Sequence, residues 1–558
     1  MDSQRIPTYE ALALQLERLG IECVFGLMSD ETATLIAAID SAGIRFVSAR
    51  HENNAVAMAE GYATSSGRLG VALIGRGPAT ANGLHGTVYA RKAGTRVLLM
   101  IGAPPDALPL PNSLGPDTKS LDAVAVLRGA GVRHMTLHDS ETAPGVLAQA
   151  AAAAERGLMA LLLPMNVLAG TTPSHAVRDA AAPPPPRTPL EPRAAAVAAA
   201  AAMLERARKP LILAGYGAHA SGARDDLVRL ADHLGAALAT TMKAKDLFRG
   251  HPFDCGVVGS FSHGAGRRLI DQSDCVIAFG AGLNQRTSSQ GTSLPADAAL
   301  IQVDTSREAL GRWLHCDVAI AGDARRTAQR LLEAIPARTD SDKPLRAEAF
   351  RRVLADFRPE HEFDAKHTAS RLDPRTVGIE LDRQLPADRN VVYDAGNFLQ
   401  CAAFIHVPGP AHIKQASDFS SIGMGFGTAL GFALGDPNRT TALFIGDGAF
   451  LMTMSELETT AREGVPLAII VMNDAAYGAE LHVLRLRGMP VATTQFPDVD
   501  YAQIAAAFGF RTATVRTLDE LRSLKPLFDE LEGPVLVDCK INGSVAAGFL
   551  EETAPRKT

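Results

Sequence analysis

The sequence has few of the features that mark secreted, membrane or metal-cluster proteins. Its six cysteines are scattered over 558 residues without CxxC spacing, so we expect neither a zinc cluster nor a disulfide framework. The longest apolar run, residues 194–204, is mostly alanine and too short to span a bilayer. The first residues alternate charge and leucine and lack the apolar core of a signal peptide. Together these absences predict a cytoplasmic protein with reduced thiols.

An excess of basic charge is also missing. The chain carries 55 basic and 61 acidic residues, which give a formal net charge of -6. Such a balance offers no electrostatic attraction to nucleic acid or to an anionic membrane. We therefore expect a small molecule as the partner, and neither nucleic acid nor a membrane.

Short apolar runs alternate with helical stretches in three blocks, the pattern of parallel sheets with helical crossovers. A proline-rich segment, residues 180–193, separates the first two blocks, because such proline density disfavours helix and sheet. A charged stretch, residues 337–372, separates the last two. The predicted fold class is α/β, with three parallel-sheet domains at residues 1–175, 190–336 and 373–558.

Two strand ends in the third block carry turns rich in oxygen ligands. The run TALFI leads into Gly446-Asp447-Gly448, and the run LAIIVM leads into Asn473-Asp474. Ligands bind at the carboxyl ends of open parallel sheets, and glycine lets the backbone approach a bulky anion. Asp447, a side chain at 473 or 474 and a following carbonyl would supply the protein ligands of Mg²⁺, with phosphate and water completing the octahedron.

The two turns and their spacing resemble the binding motif for thiamine diphosphate (ThDP). The whole chain resembles the superfamily of pyruvate decarboxylase, acetohydroxyacid synthase and benzaldehyde lyase. This resemblance implies that Asp447, Asp474 and the carbonyl of Ala476 ligate Mg²⁺. The family usually has Asn at position 474, so Asn473 is the alternative side-chain ligand. The resemblance also implies pyrimidine-binding, central ADP-binding-like and diphosphate-binding domains, in that order.

Further segments resemble other cofactor-binding elements of the family. Residues 46–84 match the segment with the activating glutamate, which implies that Glu52 hydrogen-bonds N1′ so that ThDP reacts as a C2 carbanion. Residues 418–436 match the segment that wedges between the cofactor rings, which implies Ile422 as the wedge and the Ser420 carbonyl as a hydrogen-bond acceptor. The other implied cofactor-binding residues are Asp394, Gly396, Asn397, Phe398, Gly446, Gly448, Ala449, Tyr477 and Gly478.

Acidic and histidine side chains are candidates for proton transfer. The resemblance places Asp30 and Glu480 at the positions of the decarboxylases' active-site carboxyls, where they would carry protons if burial raised their pKa toward neutrality. His51 and His482 are further candidate proton carriers, and Lys119 is a candidate anchor for an anion.

The subfamily signals are mixed. No counterpart of the His-His pair of pyruvate decarboxylases is found, and Thr118-Lys119 replace the Phe-Gln of the synthases. Met28 replaces a histidine of the benzaldehyde lyases, whereas residues 472–482 are similar to a lyase segment.

The resemblance implies an acetolactate synthase-like enzyme, a lyase or transferase, that decarboxylates a 2-oxo acid and then protonates the enamine or uses it for carboligation. One alternative is a lyase of benzaldehyde lyase type acting on an acyloin or a 2-hydroxyacyl thioester. The other is a non-catalytic regulatory homologue. A homodimer or homotetramer with active sites at the subunit interface is also implied. FAD or an ADP-containing ligand is possible in the central domain, where Gly215-Tyr216-Gly217 and Gly280-Ala281-Gly282 are candidate nucleotide turns.

Overall fold

The structure is a computed structural model that describes residues 4–105, 118–180, 188–339, 343–529 and 532–552. Within these ranges the strands form three six-stranded parallel sheets and one two-stranded antiparallel pair. The α/β fold class with three parallel sheets, predicted from the alternation of apolar runs and helical stretches, is confirmed. The exact domain boundaries stay predictions.

The first domain contains the antiparallel pair and the first parallel sheet. Its strands are β1 (Arg5–Pro7), β2 (Cys23–Gly26), β3 (Arg45–Ser48), β4 (Gly70–Ile74), β5 (Val97–Ala103), β6 (Arg133–Thr136), β7 (Met159–Pro164) and β8 (Thr171–Pro173). Its helices are α1 (Thr8–Arg18), α2 (Ala33–Ser41), α3 (Glu52–Ser66), α4 (Pro78–Asn82), α5 (Leu84–Ala93), α6 (Ala123–Gly129), α7 (Ala143–Ala154), α8 (Met165–Leu168) and α9 (Ser174–Asp179). The parallel strands lie in the order β3-β2-β4-β5-β7-β6.

The second domain contains the second sheet, in the order β11-β10-β9-β12-β13-β14. Its strands are β9 (Pro210–Ala214), β10 (Ala237–Thr240), β11 (Asp254–Val257), β12 (Cys275–Phe279), β13 (Ala299–Asp304) and β14 (Val318–Ala321). Its helices are α10 (Ala194–Arg206), α11 (Tyr216–Ala220), α12 (Arg224–Leu234), α13 (Gly264–Ile270), α14 (Gln285–Ser288) and α15 (Ala324–Ala334), and α16 (Glu348–Ala355) follows in the connection to the third domain.

The third domain contains the third sheet, in the order β16-β15-β17-β18-β20-β19. Its strands are β15 (Arg389–Tyr393), β16 (Ile413–Gln415), β17 (Thr440–Gly446), β18 (Leu467–Asn473), β19 (Arg511–Val515) and β20 (Val535–Lys540). Its helices are α17 (Pro374–Gln384), α18 (Gly425–Gly435), α19 (Asp447–Thr453), α20 (Glu456–Glu463), α21 (Gly478–Leu486), α22 (Tyr501–Ala506), α23 (Leu518–Arg522), α24 (Lys525–Asp529) and α25 (Gly548–Glu551).

The strand orders place the ligand-binding edges of the sheets. The first and third sheets share one order, which reverses between β2 and β4 and between β15 and β17. The second sheet has the order of dinucleotide-binding folds and reverses between β9 and β12. Because open α/β sheets bind ligands outside the carboxyl ends of the strands at such a reversal, the turns after β15 and β17 form the expected site in the third domain.

Helices α3 and α18 join the first and third domains. A Cβ added to Gly61 would collide with the Thr428 carbonyl, and one added to Gly431 would collide with the Met58 carbonyl. Only glycine therefore allows these two backbones to approach so closely. A single hydrophobic cluster accordingly runs from Phe25 in β2 to Leu443 in β17. In the described residues, no helix is both long and apolar enough to cross a membrane.

Candidate functional site

A cavity of about 760 Å³ opens at the carboxyl end of the third sheet, between that sheet and the second domain. It lies beside the reversal between β15 and β17, where the strand order places the ligand site. The third domain contributes the turns that follow its strands and the segment before α18. The lining residues among those predicted from the sequence are Gly396, Asn397, Phe398, Ser420, Ile422, Gly446, Asp447, Gly448, Ala449, Asp474, Ala476, Tyr477, Gly478 and Glu480.

Two carboxylates face each other at the base of this cavity. Asp447 is the first residue of α19, only 1% of its surface is exposed, and its Oδ2 is buried without a hydrogen-bond partner. Burial, and then the charge of Asp474, raise the pKa of Asp447; burial also raises the pKa of Asp474. Among the described residues, neither carboxylate forms an ion pair with a basic side chain. A buried carboxylate facing a partly buried one, without a protein cation paired to either, calls for a bound cation.

Asn473, the alternative ligand considered from the sequence, is occupied elsewhere. Its Nδ2 donates to the Val499 carbonyl at 3.1 Å and to Asp538 Oδ1 at 3.0 Å, and its Oδ1 accepts from the Ala475 N–H at 3.1 Å. All of its polar atoms are therefore used within the fold. This geometry leaves Asp474 as the side chain of the pair that faces Asp447.

The turn after β18 is fixed by an isolated antiparallel bridge between Ala476 and Gln495. Its two hydrogen bonds use the Ala475 carbonyl and the Tyr477 N–H, so the Ala476 carbonyl takes no part in the bridge. Ala475 has a φ of +57°, a left-handed conformation that is unusual for a residue other than glycine. The strained turn thus orients the carbonyl that the sequence predicts as a metal ligand.

Two glycines next to the carboxylates leave no room for a side chain. A Cβ at Gly448 would lie 2.7 Å from the Tyr477 ring, and a Cβ at Gly478 would collide with Asp474 Oδ2. Larger residues would therefore displace the groups that surround the two carboxylates. This gives a physical reason for the glycines at these positions in the two turns.

Asp394 lies behind the cavity wall and is not among the described residues that line it. Its fully buried carboxylate accepts hydrogen bonds from the backbone N–H groups of Gly425 at 2.7 Å and Gly423 at 3.0 Å. Burial raises the pKa of Asp394 to about 7, against the effect of these hydrogen bonds. In this structure Asp394 holds the start of α18 against the end of β15, whereas the sequence predicts direct cofactor binding.

The segment before α18 projects into the cavity. Ser420 has a φ of +55°, and the partly buried Ile422 follows it on the cavity wall. His85 of the first domain hydrogen-bonds Ser421 Oγ at 2.7 Å. An ion pair from Lys243 of the second domain holds Asp418 in the same segment. The predicted wedge is therefore held from both neighbouring domains.

Glu52, the predicted activating glutamate, lies in the first domain. It is the first residue of α3, is 9% exposed, and its Oε2 accepts from Asn82 Nδ2 at 3.2 Å. None of the described residues that line the cavity precedes Tyr216. Glu52 is therefore not among the described residues that line the cavity with Asp447 in one chain.

Comparison with known proteins identifies the family of this chain. Three family models match the chain: the N-terminal TPP binding domain of thiamine pyrophosphate enzymes at residues 7–123, the central domain at 197–331, and the C-terminal TPP binding domain at 394–539. The chain belongs to the thiamine pyrophosphate (ThDP) enzyme family. The family suspected from the sequence motifs is thereby confirmed.

The matches to known relatives extend over nearly the whole chain, but these relatives are named for different reactions. A probable sulfoacetaldehyde acetyltransferase of Rhizobium meliloti is 28% identical, with 98% of this chain and 96% of that protein covered. A probable 2-ketoarginine decarboxylase of Pseudomonas aeruginosa is 29% identical, with 95% and 93% covered. A probable acetolactate synthase large subunit of Methanocaldococcus jannaschii is 25% identical, with 96% and 92% covered. The family follows from these matches, and the specific reaction does not.

A network of ion pairs, buried at Glu60 and half exposed at Lys243, connects all three domains of this ThDP-family protein. Lys414 Nζ lies 2.6 Å from Glu60 Oε1 and 3.3 Å from Asp418 Oδ2, and Asp418 in turn pairs with Lys243. Glu60 also accepts from Tyr89 and Thr95, and its side chain has no exposed surface. Asp418 and Lys243 also line the cavity. The ion pairs that hold the three domains together therefore also hold part of the cavity wall.

Replacement of Lys414 by Met should therefore destabilise the fold by about 3–5 kcal/mol, because it leaves the Glu60 carboxylate buried without its cation. Urea unfolding monitored by circular dichroism measures the change. The control is Lys525→Met, which removes an exposed ion pair with Asp529 and should change stability by less than about 0.5 kcal/mol. Equal effects of the two substitutions would show that the ion pair between Lys414 and Glu60 contributes little to the stability of the fold.

Asp30 does not meet the condition attached to its predicted role. Its side chain is 72% exposed, and a hydrogen bond from Lys119 lowers its pKa. The condition that burial raises the pKa of Asp30 toward neutrality is therefore not met in one chain. The buried carboxylate of this loop is Glu31, which lies 2.7 Å from Lys119 Nζ and 3.1 Å from Arg76 Nε. Lys119, the predicted anion anchor, is paired with both acidic residues.

The other candidate proton carriers differ in their access to the cavity. Glu480 is an exposed residue on the cavity wall, in the first turn of α21. His51 precedes α3, and its Nδ1 accepts from the Asn53 N–H at 3.2 Å. His482 is buried, which lowers its pKa, and its Nε2 has no hydrogen-bond partner. Of these three, Glu480 alone is among the described residues that line the cavity.

The glycine turns of the second domain have a structural reason of their own. A Cβ at Gly215 would collide with the Gly280 carbonyl, and one at Gly217 would lie 2.8 Å from Gly280 Cα. The turns after β9 and β12 therefore pack directly against each other. This contact accounts for their glycines without a bound nucleotide.

The second domain also supplies cavity residues that the sequence reasoning missed, among them Lys243, Arg286 and Trp313. Arg286 lies on α14, a few residues after β12, at the reversal of the second sheet. The sequence motifs indicate the glycine turn at the end of β12, Gly280-Ala281-Gly282, but not Arg286 a few residues beyond it. The contact between the second and third sheets, which brings Arg286 to the cavity, could not be predicted from local sequence patterns.

Proposed function

We propose that the protein is a ThDP- and Mg²⁺-dependent enzyme that decarboxylates a 2-oxo acid and then protonates the product or joins it to a carbonyl acceptor. The observation that carries the cofactor assignment is the pair formed by the buried Asp447 and the partly buried Asp474, which face each other without a paired protein cation at the reversal of the third sheet. When bound, ThDP supplies a C2 carbanion that attacks a carbonyl carbon.

The residues around the cavity fit this cofactor. Asp447, Asp474 and the Ala476 carbonyl offer three oxygens to Mg²⁺, which favours one or two carboxylates together with phosphate oxygens and water. The glycine turns at 446–448 and 478 leave room for the diphosphate group. Ile422 on the cavity wall supplies an apolar surface for the rings, as the family resemblance implies.

The separation of Glu52 from this cavity supports a dimer with shared sites. The cavity of one chain holds Asp447 and Ile422, and the Glu52 that completes it would be Glu52 of the partner subunit. Large apolar side chains are exposed near both half-sites, including Met28 in the loop with Asp30, and Leu451 and Met452 on α19. Such exposed side chains are suited to burial against a second copy.

Arg286 is suited to binding the carboxylate of a substrate. Its guanidinium carbon lies 4.4 Å from the centroid of the Phe549 ring, and its Nη1 donates to the Phe549 carbonyl at 3.4 Å. Burial lowers the pKa of Arg286, yet arginine stays charged at neutral pH. Among the described residues, no carboxylate forms an ion pair with it. The charge of Glu552 raises the pKa of Arg286 without forming such a pair, so a direct ion pair is left for the carboxylate of a 2-oxo acid.

Replacement of Arg286 by Met should raise the KM for a 2-oxo acid by about 10- to 100-fold, which corresponds to the loss of one charge-assisted hydrogen bond. The kcat should change less, since the cofactor site stays intact. Steady-state kinetics with a fixed saturating concentration of ThDP measure both values. Arg267→Met, whose charge lies on α13 outside the described cavity lining, is the control. An unchanged KM for Arg286→Met would exclude Arg286 as the carboxylate anchor.

A substrate screen tests the proposed reaction. The ThDP- and Mg²⁺-saturated enzyme is incubated with pyruvate, benzoylformate and branched 2-oxo acids, and CO₂, aldehyde and acyloin are measured. We expect CO₂ from at least one of them. No CO₂ from any, but cleavage of a 2-hydroxy ketone or a 2-hydroxyacyl thioester, would indicate a lyase. Calorimetry without ThDP binding would indicate a non-catalytic homologue. A flavin absorption spectrum of the purified protein would show that the second domain holds FAD.

A further inference from the structure

The two carboxylates of the cofactor site carry more negative charge than the described protein around them balances. Asp447 and Asp474 face each other, and Asp447 Oδ2 is buried without a partner. The charge of Arg371 acts on Asp474, but its guanidinium donates to the carbonyls of Asn473 and Ile541 and forms its ion pair with Asp498, at 2.9 Å. The charge of the pair is therefore left for a ligand to balance.

The direction of Asp474 is set by its surroundings. A Cβ at Gly478 would collide with Asp474 Oδ2, and one at Gly543 would lie 3.4 Å from the Asp474 Cβ. The neighbouring Asn473 uses its amide within the fold, and the bridge between Ala476 and Gln495 fixes the turn beyond. The carboxylate is thus held facing Asp447 before any ligand arrives, so little reorganisation is needed when a cation binds.

We propose that Asp447 and Asp474 bind the divalent cation before the diphosphate cofactor and independently of it. Two carboxylates neutralise a divalent cation without help from phosphate, whereas one carboxylate and an amide would leave it half compensated. This inference rests on the proposed function, because it concerns the same metal site. It adds the order of binding and a trade-off, since the second carboxylate that attracts the metal also repels the diphosphate.

The experiment uses the full-length protein freed of cofactor and metal, with Mn²⁺ as the probe. Electron paramagnetic resonance measures free Mn²⁺ during titration in the absence of ThDP. We expect one Mn²⁺ bound per chain, and an affinity lower by roughly tenfold or more in Asp474→Asn, because ligand charge sets the affinity of such sites. Asp519→Asn on α23 makes the same change in net charge away from the cavity and should bind Mn²⁺ like the wild type.

Two further measurements separate the metal role of Asp474 from a structural one. Addition of Mn²⁺ without ThDP should raise the melting temperature of the wild type more than that of Asp474→Asn, because a ligand stabilises the folded state in proportion to its binding. At saturating Mn²⁺, Asp474→Asn should bind ThDP more tightly than the wild type. A variant that only damaged the fold would lose affinity for both ligands.

The outcomes distinguish this inference from the proposed function. Wild-type protein that binds Mn²⁺ only after ThDP is added would overturn the order of binding and leave the function intact. Equal Mn²⁺ affinity of the wild type and Asp474→Asn would overturn the role of the second carboxylate. Tight Mn²⁺ binding without any binding of ThDP would support the dicarboxylate site and overturn the proposed function.

Discussion

Replacement of Glu52 by Gln should lower the turnover number by about 10²- to 10⁴-fold, the usual contribution of a positioned acid–base group. Glu52 is buried at the start of α3 and accepts a hydrogen bond from Asn82. Glutamine has the same size and can still accept that bond through its carbonyl oxygen, so the fold and the helix start should be retained. It cannot exchange a proton at N1′ of the cofactor.

The rate of proton exchange at C2 of bound ThDP measures this effect directly. The complex is diluted into D₂O, quenched with acid at intervals and analysed by proton NMR. The control is Glu458→Gln, which removes a partly exposed carboxylate that pairs with Arg50, two residues before Glu52. We expect slow exchange for Glu52→Gln and exchange at the wild-type rate for Glu458→Gln. Fast exchange in Glu52→Gln would exclude Glu52 as the activating group.

The position of Glu52 also depends on a residue that the sequence reasoning did not identify. Glu456, the first residue of α20, accepts from the Arg50 N–H and from Asn54 Nδ2, both at 2.9 Å. Its carboxylate is fully buried, and burial raises its pKa. The third domain, which holds Asp447 nine residues before Glu456, therefore fixes the loop that presents Glu52 of the same chain.

Local sequence patterns predicted the parts of the fold that depend on local rules. The runs before Asp447 and Asn473 form adjacent buried strands, because parallel strands covered by helices must be apolar along their whole length. Since the carboxyl ends of such strands meet at one edge, the two turns lie on one cavity. The roles of their residues stay predictions until they are tested.

Features that depend on how the domains dock could not be predicted in this way. Lys119 lowers the pKa of Asp30 from 89 positions away in the sequence, and Lys414 reaches Glu60 across a separation of 354. Arg286 enters the cavity from the second sheet. A hydrophobic pattern or motif within one segment does not indicate which charged residue from a distant segment will lie beside it. Those contacts follow from the packing of whole domains.

Mixing two inactive variants should restore activity if the sites are shared between subunits. Glu52→Gln and Asp447→Asn are each expected to be inactive as homodimers, because every site lacks one essential group. In a heterodimer, one site combines both substitutions, whereas the other combines the intact Glu52 of one chain with the intact Asp447 of the other. Random reassembly at equal amounts makes half of the dimers mixed, so about a quarter of the wild-type activity should return.

Co-expression with two different affinity tags gives the heterodimer in pure form, and its activity should then approach about half of the wild-type value, with one intact site in two. Mass spectrometry of the intact protein confirms that both chains are present. The matched control combines both substitutions in one chain and pairs it with an unmodified chain. In that heterodimer each site holds one substitution, so it should be inactive. The reverse pattern, an inactive mixture of single variants and an active control, would place Glu52 and Asp447 of the same chain in one site.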